Sequence, residues 1–219
     1  RALGKDAEKQ LAPWNSAVAK IKPLLTDGKC ARTADLTDDE KLAVKDMFLL
    51  TMKPTLYVAN VDEDSVESGT NKYVEVVKKY ADEEKSEVVV ICGKFEADLA
   101  EITEDADRKE FMESVGLKES GLAVLARKAY HLMGLRTFFT GGPDECRAWT
   151  IHSGDKAPQA AGVIHTDFEK GFIKAEAYTI DDLRKYGSEA EIKAAGKYRQ
   201  EGKEYVVQDG DVLFFKFNV

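Results

Sequence analysis

The chain has 219 residues, 43% of them apolar and 33% charged, with a net charge of −8. That composition suffices to bury one or two cores. No apolar run approaches the roughly 18 residues of a membrane span, and the opening Arg1-Ala2-Leu3-Gly4-Lys5-Asp6 lacks a signal-peptide layout, so neither a spanning helix nor a leader is predicted. Three distant cysteines (Cys30, Cys92, Cys146), no CxxC spacing and only three histidines argue against a zinc site or disulfide framework and point to a reducing, cytoplasmic setting. Charge is uneven: residues 1–32 are basic, 33–135 strongly acidic and 136–219 nearly neutral. The acidic middle argues against wrapping nucleic acid there, and leaves the basic opening and the neutral end as candidate RNA-facing surfaces.

In residues 1–25, Leu11, Trp14, Val18, Ile21 and Leu24/Leu25 recur at three- and four-residue spacing, which predicts an amphipathic helix. Pro13 and Pro23 are expected to interrupt or end it, and Asp27-Gly28 to stop it. Such a stripe, with nothing local to pack on, suggests one arm of a helical hairpin. Thr37 with Glu40 three residues later is a capping box that starts the next helix. Pro54 to Ala59 is predicted as a strand, Asn71 to Tyr80 as an amphipathic helix, and Glu87 to Cys92 as a strand apolar on both faces. Glu96 to Gly116 is acidic and helical. Gly121 to Leu132 is helical with Leu122, Leu125, Ala126 and Ala129 inward. This alternation implies a parallel α/β layer, but two strands do not complete a doubly wound sheet, so further strands are expected from sequence before residue 1.

From Arg136 the pattern changes to α+β. Arg136–Thr140, a Gly141-Gly142-Pro143-Asp144 turn and Cys146–Ile151 predict a hairpin. A short helix over Pro158–His165, a strand over Phe172–Tyr178 and a helix over Ile180–Tyr186 follow. Tyr205–Val207, a Gln208–Asp211 turn and Val212–Phe217 are expected to form a second hairpin. Trp149, Phe214, Phe215 and Phe217 are core candidates, with base-stacking on RNA as the alternative. His152 and His165 lack ligand spacing and read as structural or partner contacts.

Three blocks carry a specific resemblance: Arg147–Ile151, Ala157–Ile173 and Tyr205–Val212. With Lys53-Pro54-Thr55-Leu56-Tyr57-Val58-Ala59-Asn60 upstream, they resemble the YchF, or Obg-like ATPase, family over nearly the whole chain. The resemblance implies a partial Ras-like parallel α/β layer with a helical coiled-coil arm, followed by a β-grasp TGS domain. On it, 1–32 is the returning arm of the coiled-coil insertion, 33–135 the second half of the nucleotide domain, and 136–219 the TGS domain.

The resemblance also implies an ATP site. Ras-like GTPases carry Asn-Lys-x-Asp after this strand, where the Asp accepts from guanine. Here Asn60-Val61-Asp62-Glu63 stands instead, similar to the family's Asn-x-x-Glu, which goes with a preference for ATP over GTP. An amide can pair with adenine N6 and N7. Asn60 is therefore expected to contact adenine, Val61 to offer packing and backbone, and Glu63 to exclude guanine or orient the loop. A plain helix-start cap by Asp62 or Asp64 is the structural alternative. Cys92-Gly93-Lys94 stands where Ras-like proteins have Ser-Ala-Lys, in a loop whose backbone supports the base; small size is kept at 92 and 93, but the hydroxyl is lost. Cys92 is not expected to act as a nucleophile, since a buried cysteine is usually inert.

No phosphate loop occurs: Gly116-Leu117-Lys118-Glu119-Ser120-Gly121 is followed by Leu122, not Lys-Ser. No catalytic residue and no metal ligand is therefore assigned. The complete family member is expected to hydrolyse ATP with Mg2+ and to bind the ribosome, at the large subunit or the subunit interface, with RNA contacts through the TGS domain and the helical arm. This chain alone is expected to be inactive, monomeric and away from membranes. The alternative is a non-enzymatic ribosome- or RNA-binding module of TGS type.

Overall fold

The computed structural model describes residues 5–142 and 145–218. It is a mixed α/β chain in two compact units, residues 1–129 and 130–219. Among the described residues no helix is long and apolar enough to cross a membrane.

In the first unit, α1 (Lys5–Thr26) runs through both prolines, where an interruption was expected. Pro23 lies in the last turn, so it forfeits a ladder bond without breaking the helix. Ala17 and Ile21 of α1 are buried with Ala31, Leu36 and Val44, and this packing overrides the weak local preference. Gly28 at φ +72 ends the helix, with Lys29 N bonded to Leu24 O at 2.8 Å, a left-handed cap that glycine adopts without strain. Thr37 and Glu40 form the expected capping box at the start of α2 (Asp38–Ala43). The Glu40 carboxylate also accepts from Ser16 at 2.6 Å and from Lys20 at 2.8 Å, which ties α2 to α1.

β1 (Leu56–Asn60) pairs in parallel with β2 (Glu87–Ile91), Leu56 opposite Glu87 and Asn60 opposite Ile91. Between them lies α3 (Lys72–Glu83), started by Asn71, whose amide oxygen accepts from Tyr73 N and Val74 N. Beyond α3, buried Glu84 accepts from Arg32 Nη2 and Tyr57 Oη at 2.6 Å each, and from Tyr80 Oη at 3.1 Å. Chiefly through the Tyr57 hydroxyl, and against the burial that opposes it, these donors hold the Glu84 carboxyl down at about 2. Hydrogen bonding to Glu84 in turn pushes the Cys30 thiol up.

The acidic segment expected as one helix is two, α4 (Gly93–Glu101) and α5 (Asp105–Ser114). The break at Ile102 folds α5 back so that Phe111 stacks on Phe95 at 4.9 Å, over a cluster with Cys92, Leu99 and Val115. Burial of this aromatic pair outweighs continuing a solvated helix. α6 (Gly121–Leu132) has the expected bounds but another rotation: Leu122 is exposed, and Val124 and Leu125 are half-buried. A Cβ on Gly121 would lie 2.8 Å from Ile91 Cγ2, so the helix start sits hard against β2 and sets that rotation.

The second unit is a five-stranded mixed sheet in the order β4-β3-β7-β5-β6. β3 (Leu135–Gly141) and β4 (Cys146–His152) make the expected hairpin; Pro143 and Asp144 of its turn lie outside the described residues. α7 (Ala157–Ile164) and α8 (Thr166–Lys170) precede β5 (Phe172–Thr179), with the His165 ring capping α8. α9 (Ile180–Tyr186) was expected, whereas α10 (Glu189–Ala194) and the short β6 (Arg199–Glu201) were not.

The second hairpin does not form. β7 (Asp211–Phe217) pairs parallel to β3 and antiparallel to β5, while Val206 bridges Lys156. The 208–211 turn is committed elsewhere. Asp209 accepts from Thr137 N at 2.7 Å, Gly210 N donates to Thr137 O at 2.8 Å, and fully buried Asp211 accepts from Tyr205 Oη, Gln208 N and Arg199. The core holds Phe138, Ile151, Ala160, Phe172, Val207 and Leu213, with Trp149 and Phe215 packed on it. Phe214 packs on the opposite face with Tyr178 and Ile192.

Candidate functional site

A parallel pair of strands brings both carboxyl ends to the same edge, and here it places Asn60 beside Ile91. Residues 60–63 and 92–94, some thirty positions apart in sequence, become neighbouring loops. Three bonds tie them together. Val61 N donates to Ile91 O at 2.8 Å. Gly93 N donates to Asn60 Oδ1 at 2.9 Å. Lys94 Nζ donates to Glu63 Oε2 at 2.8 Å, and that bond pushes the Lys94 pKa up.

The Gly93 bond fixes which way the Asn60 amide faces, because a backbone N–H can only meet the oxygen. Nδ2 then points away as a free donor, and the oxygen keeps its second lone pair. Val61 turns its side chain into the cluster around Cys92 and Phe95, so its N–H and much of its apolar surface are spent internally. Cys92 is buried, and its Sγ accepts from Phe95 N at 3.5 Å at the start of α4. The lost hydroxyl is thus replaced by a weak sulfur cap, not by a ligand contact. The Asp62 alternative is realised as well: Asp62 Oδ1 accepts from Ser65 N at 3.1 Å and caps a short turn.

Behind the loops, Val61, Val66, Ile91, Phe95, Gly121 and Val124 line a crevice of about 140 Å³. It is well below the roughly 300–1,000 Å³ of a ligand pocket. Buried Glu96 closes the far side by accepting from Gly121 N at 2.6 Å. Among the described residues no group of three or more His, Cys, Asp or Glu is placed to hold a metal.

The structure therefore brings Asn60, Val61, Glu63, Cys92 and Gly93 to one edge. It adds Glu96, which had no expected role, and pairs Lys94, the last residue of the Ser-Ala-Lys-like segment, with Glu63. The opposite charges of Glu63 and Lys94 were visible, but only the register of β1 and β2 makes them neighbours.

Residues 135–218 match the family YchF-GTPase_C, described as a protein of unknown function (DUF933). Over 218 residues the chain is 46% identical to the protein named ribosome-binding ATPase YchF of Bacillus subtilis (strain 168), covering 99% of this chain and 59% of that protein. The chain belongs to the YchF, or Obg-like ATPase, family. Obg-like ATPase 1 of Rattus norvegicus is 41% identical over 215 residues, covering 96% of this chain and 54% of that protein. The solved structure of the Schizosaccharomyces pombe YchF GTPase superposes with a TM-score of 0.83 at 35% identity, over 99% of this chain and 57% of that one. The chain thus spans somewhat over half the length of these YchF relatives and corresponds to their carboxyl-terminal portion.

Proposed function

We propose that this chain supplies the purine-base side of an ATP site and a TGS-type β-grasp module to a ribosome-associated ATPase of YchF type. The observation that carries this is the tie between Asn60 Oδ1 and Gly93 N, which preorganises the two loops at the carboxyl ends of parallel strands, where α/β proteins bind nucleotides. On this reading 1–32 is the arm of a coiled-coil insertion, 33–135 part of a Ras-like layer, and 136–219 the TGS module. The mixed sheet, with its central parallel pair β3–β7, supports the last assignment.

Asn60 offers Nδ2 to purine N7 and its free lone pair to adenine N6, and the loop around Val61 supports the base from behind. Glu63 stands at the edge where guanine would be read and serves to exclude it. Cys92 and Gly93 contribute through small size and backbone approach. ATP is preferred over GTP. Phosphoryl transfer depends on a phosphate loop, its lysine and Mg2+; the sequence holds no such loop, and the described residues offer no donor set for the metal, so no catalytic step is assigned to them. The ribosome as partner rests on the relatives' names, and a cytoplasmic monomer is the form we expect.

Calorimetry with ATP on the 219-residue chain tests the half-site: binding is expected to be weak or nil. Low-micromolar affinity, or turnover with magnesium, would overturn it. A second reading, a module that binds ribosomes without enzymatic chemistry, is favoured by the separate core of residues 130–219. Those residues should then co-sediment with ribosomes at low salt and be released as salt rises.

A further inference from the structure

We propose that Lys94 is a positioning residue for base choice: its ion pair with Glu63 withdraws from the site the carboxylate that guanine would need. The inference rests on the reading of these loops as a purine-base site. Guanine presents an acceptor, O6, and two donors, N1–H and the 2-amino group; adenine presents a 6-amino donor and no 2-amino group. A guanine-binding edge therefore needs a free N–H aimed at O6 and a free carboxylate aimed at the two donors.

This site takes both out of play by bonding them within the protein. The backbone N–H of Gly93 is spent on Asn60 Oδ1 at 2.9 Å. The Glu63 carboxylate is engaged through Oε2 by Lys94 Nζ at 2.8 Å, whose positive charge offsets its own. What faces outward is Asn60 Nδ2 and the second lone pair of Oδ1, a donor and an acceptor that suit adenine N7 and N6.

Lysine holds the acid, and the side chain at 92 does not. The side chain at 92 is a buried thiol, bonded to Phe95 N. Neither Lys94 nor Glu63 is buried, with side chains 69% and 52% exposed. The tie is therefore modest and screened by salt. Base choice should for that reason weaken as ionic strength rises, which a purely structural role for Lys94 does not predict.

The test uses the full-length protein, with ATP and GTP competing against a fluorescent ADP analogue. K94M keeps the aliphatic stem and removes the charge, and its exposure makes it safe for folding. GTP binding is expected to tighten about two- to fivefold, the scale of an exposed ion pair, with ATP binding unchanged within twofold. Adding E63Q to K94M is expected to cancel that gain, and the salt dependence of the ATP/GTP ratio is expected to vanish in K94M. An unchanged ratio in K94M overturns the role of Lys94. The N60A variant separates this from failure of the base site itself. If N60A weakens ATP binding while K94M leaves the ratio unchanged, the base site stands and the Lys94 inference falls. If neither variant changes binding of either nucleotide, both fall.

Discussion

The two units are held together by different physics. Residues 130–219 close a five-stranded sheet over a ten-residue core in which Phe138, Ile151 and Leu213 are essentially inaccessible to water, with a smaller cluster around Tyr178, Ile192 and Val212. Residues 1–129 have only two paired strands and divide their apolar burial between two small clusters. A two-stranded pair is marginal by itself. What joins its pieces is a set of three buried carboxylates, each bonded across elements: Glu40 to α1, Glu84 to Arg32 and two tyrosines, and Glu96 to the start of α6; residues 130–219 bury one, Asp211, bonded to Arg199 and Tyr205. The lesson is that residues 1–129 rely on polar cross-ties where residues 130–219 rely mainly on a larger core. Such ties give position and sensitivity to pH, whereas apolar burial gives stability largely indifferent to pH.

The largest blow to this contrast should come from Phe138→Ala. Removing a fully buried phenylalanine costs about 3–5 kcal/mol. Amide hydrogen exchange should show residues 130–219 opening while 1–129 keep their protection; loosening of both alike would mean that the cores are not separate. Arg32→Met comes next. It leaves the Glu84 carboxylate buried without its cation, which costs about 3 kcal/mol. Here protection should be lost around α3 and residues 28–33, and kept in the five-stranded sheet.

Acid sharpens the comparison further. The Glu84 carboxyl is depressed to about 2 from an ordinary 4.5, so its contribution is complete above pH 4.5 and is lost as pH falls toward 2. Fluorescence and exchange between pH 5 and 2 should show the first unit melting before the second. Simultaneous loss would count against the electrostatic account.

Much of the fold was legible in the sequence because local signals were strong. The Thr37–Glu40 capping box, the apolar run at 88–91, the Gly28 stop and the bounds of α6 all depend on neighbouring residues alone. The misjudged elements depend on distant partners. Pro13 and Pro23 sit in a helix held by packing, and α4 and α5 separate so that Phe111 can reach Phe95. The expected hairpin at 205–217 fails because the 208–211 turn is bonded to Thr137, some seventy residues earlier. Three later elements, α8, α10 and β6, were not foreseen; they are short, three to six residues each, too brief for a periodic pattern. At the candidate site, Asn60, Val61 and Glu63 were singled out by the resemblance to the family, since the spacing alone is a weak signal; the pairing of Lys94 with Glu63 was not foreseen, because it depends on the register of β1 and β2.

β7 is the latest strand in sequence and the third of five across the sheet. During synthesis, then, the β3–β4 hairpin and the β5–β6 pair emerge as two fragments with no strand between them. They join only when residues 211–217 arrive, whereas the pieces of the first unit are complete well before. A chain released before position 211 would thus leave the β3 and β5 edges unpaired, which are the surfaces that chaperones and aggregation find first.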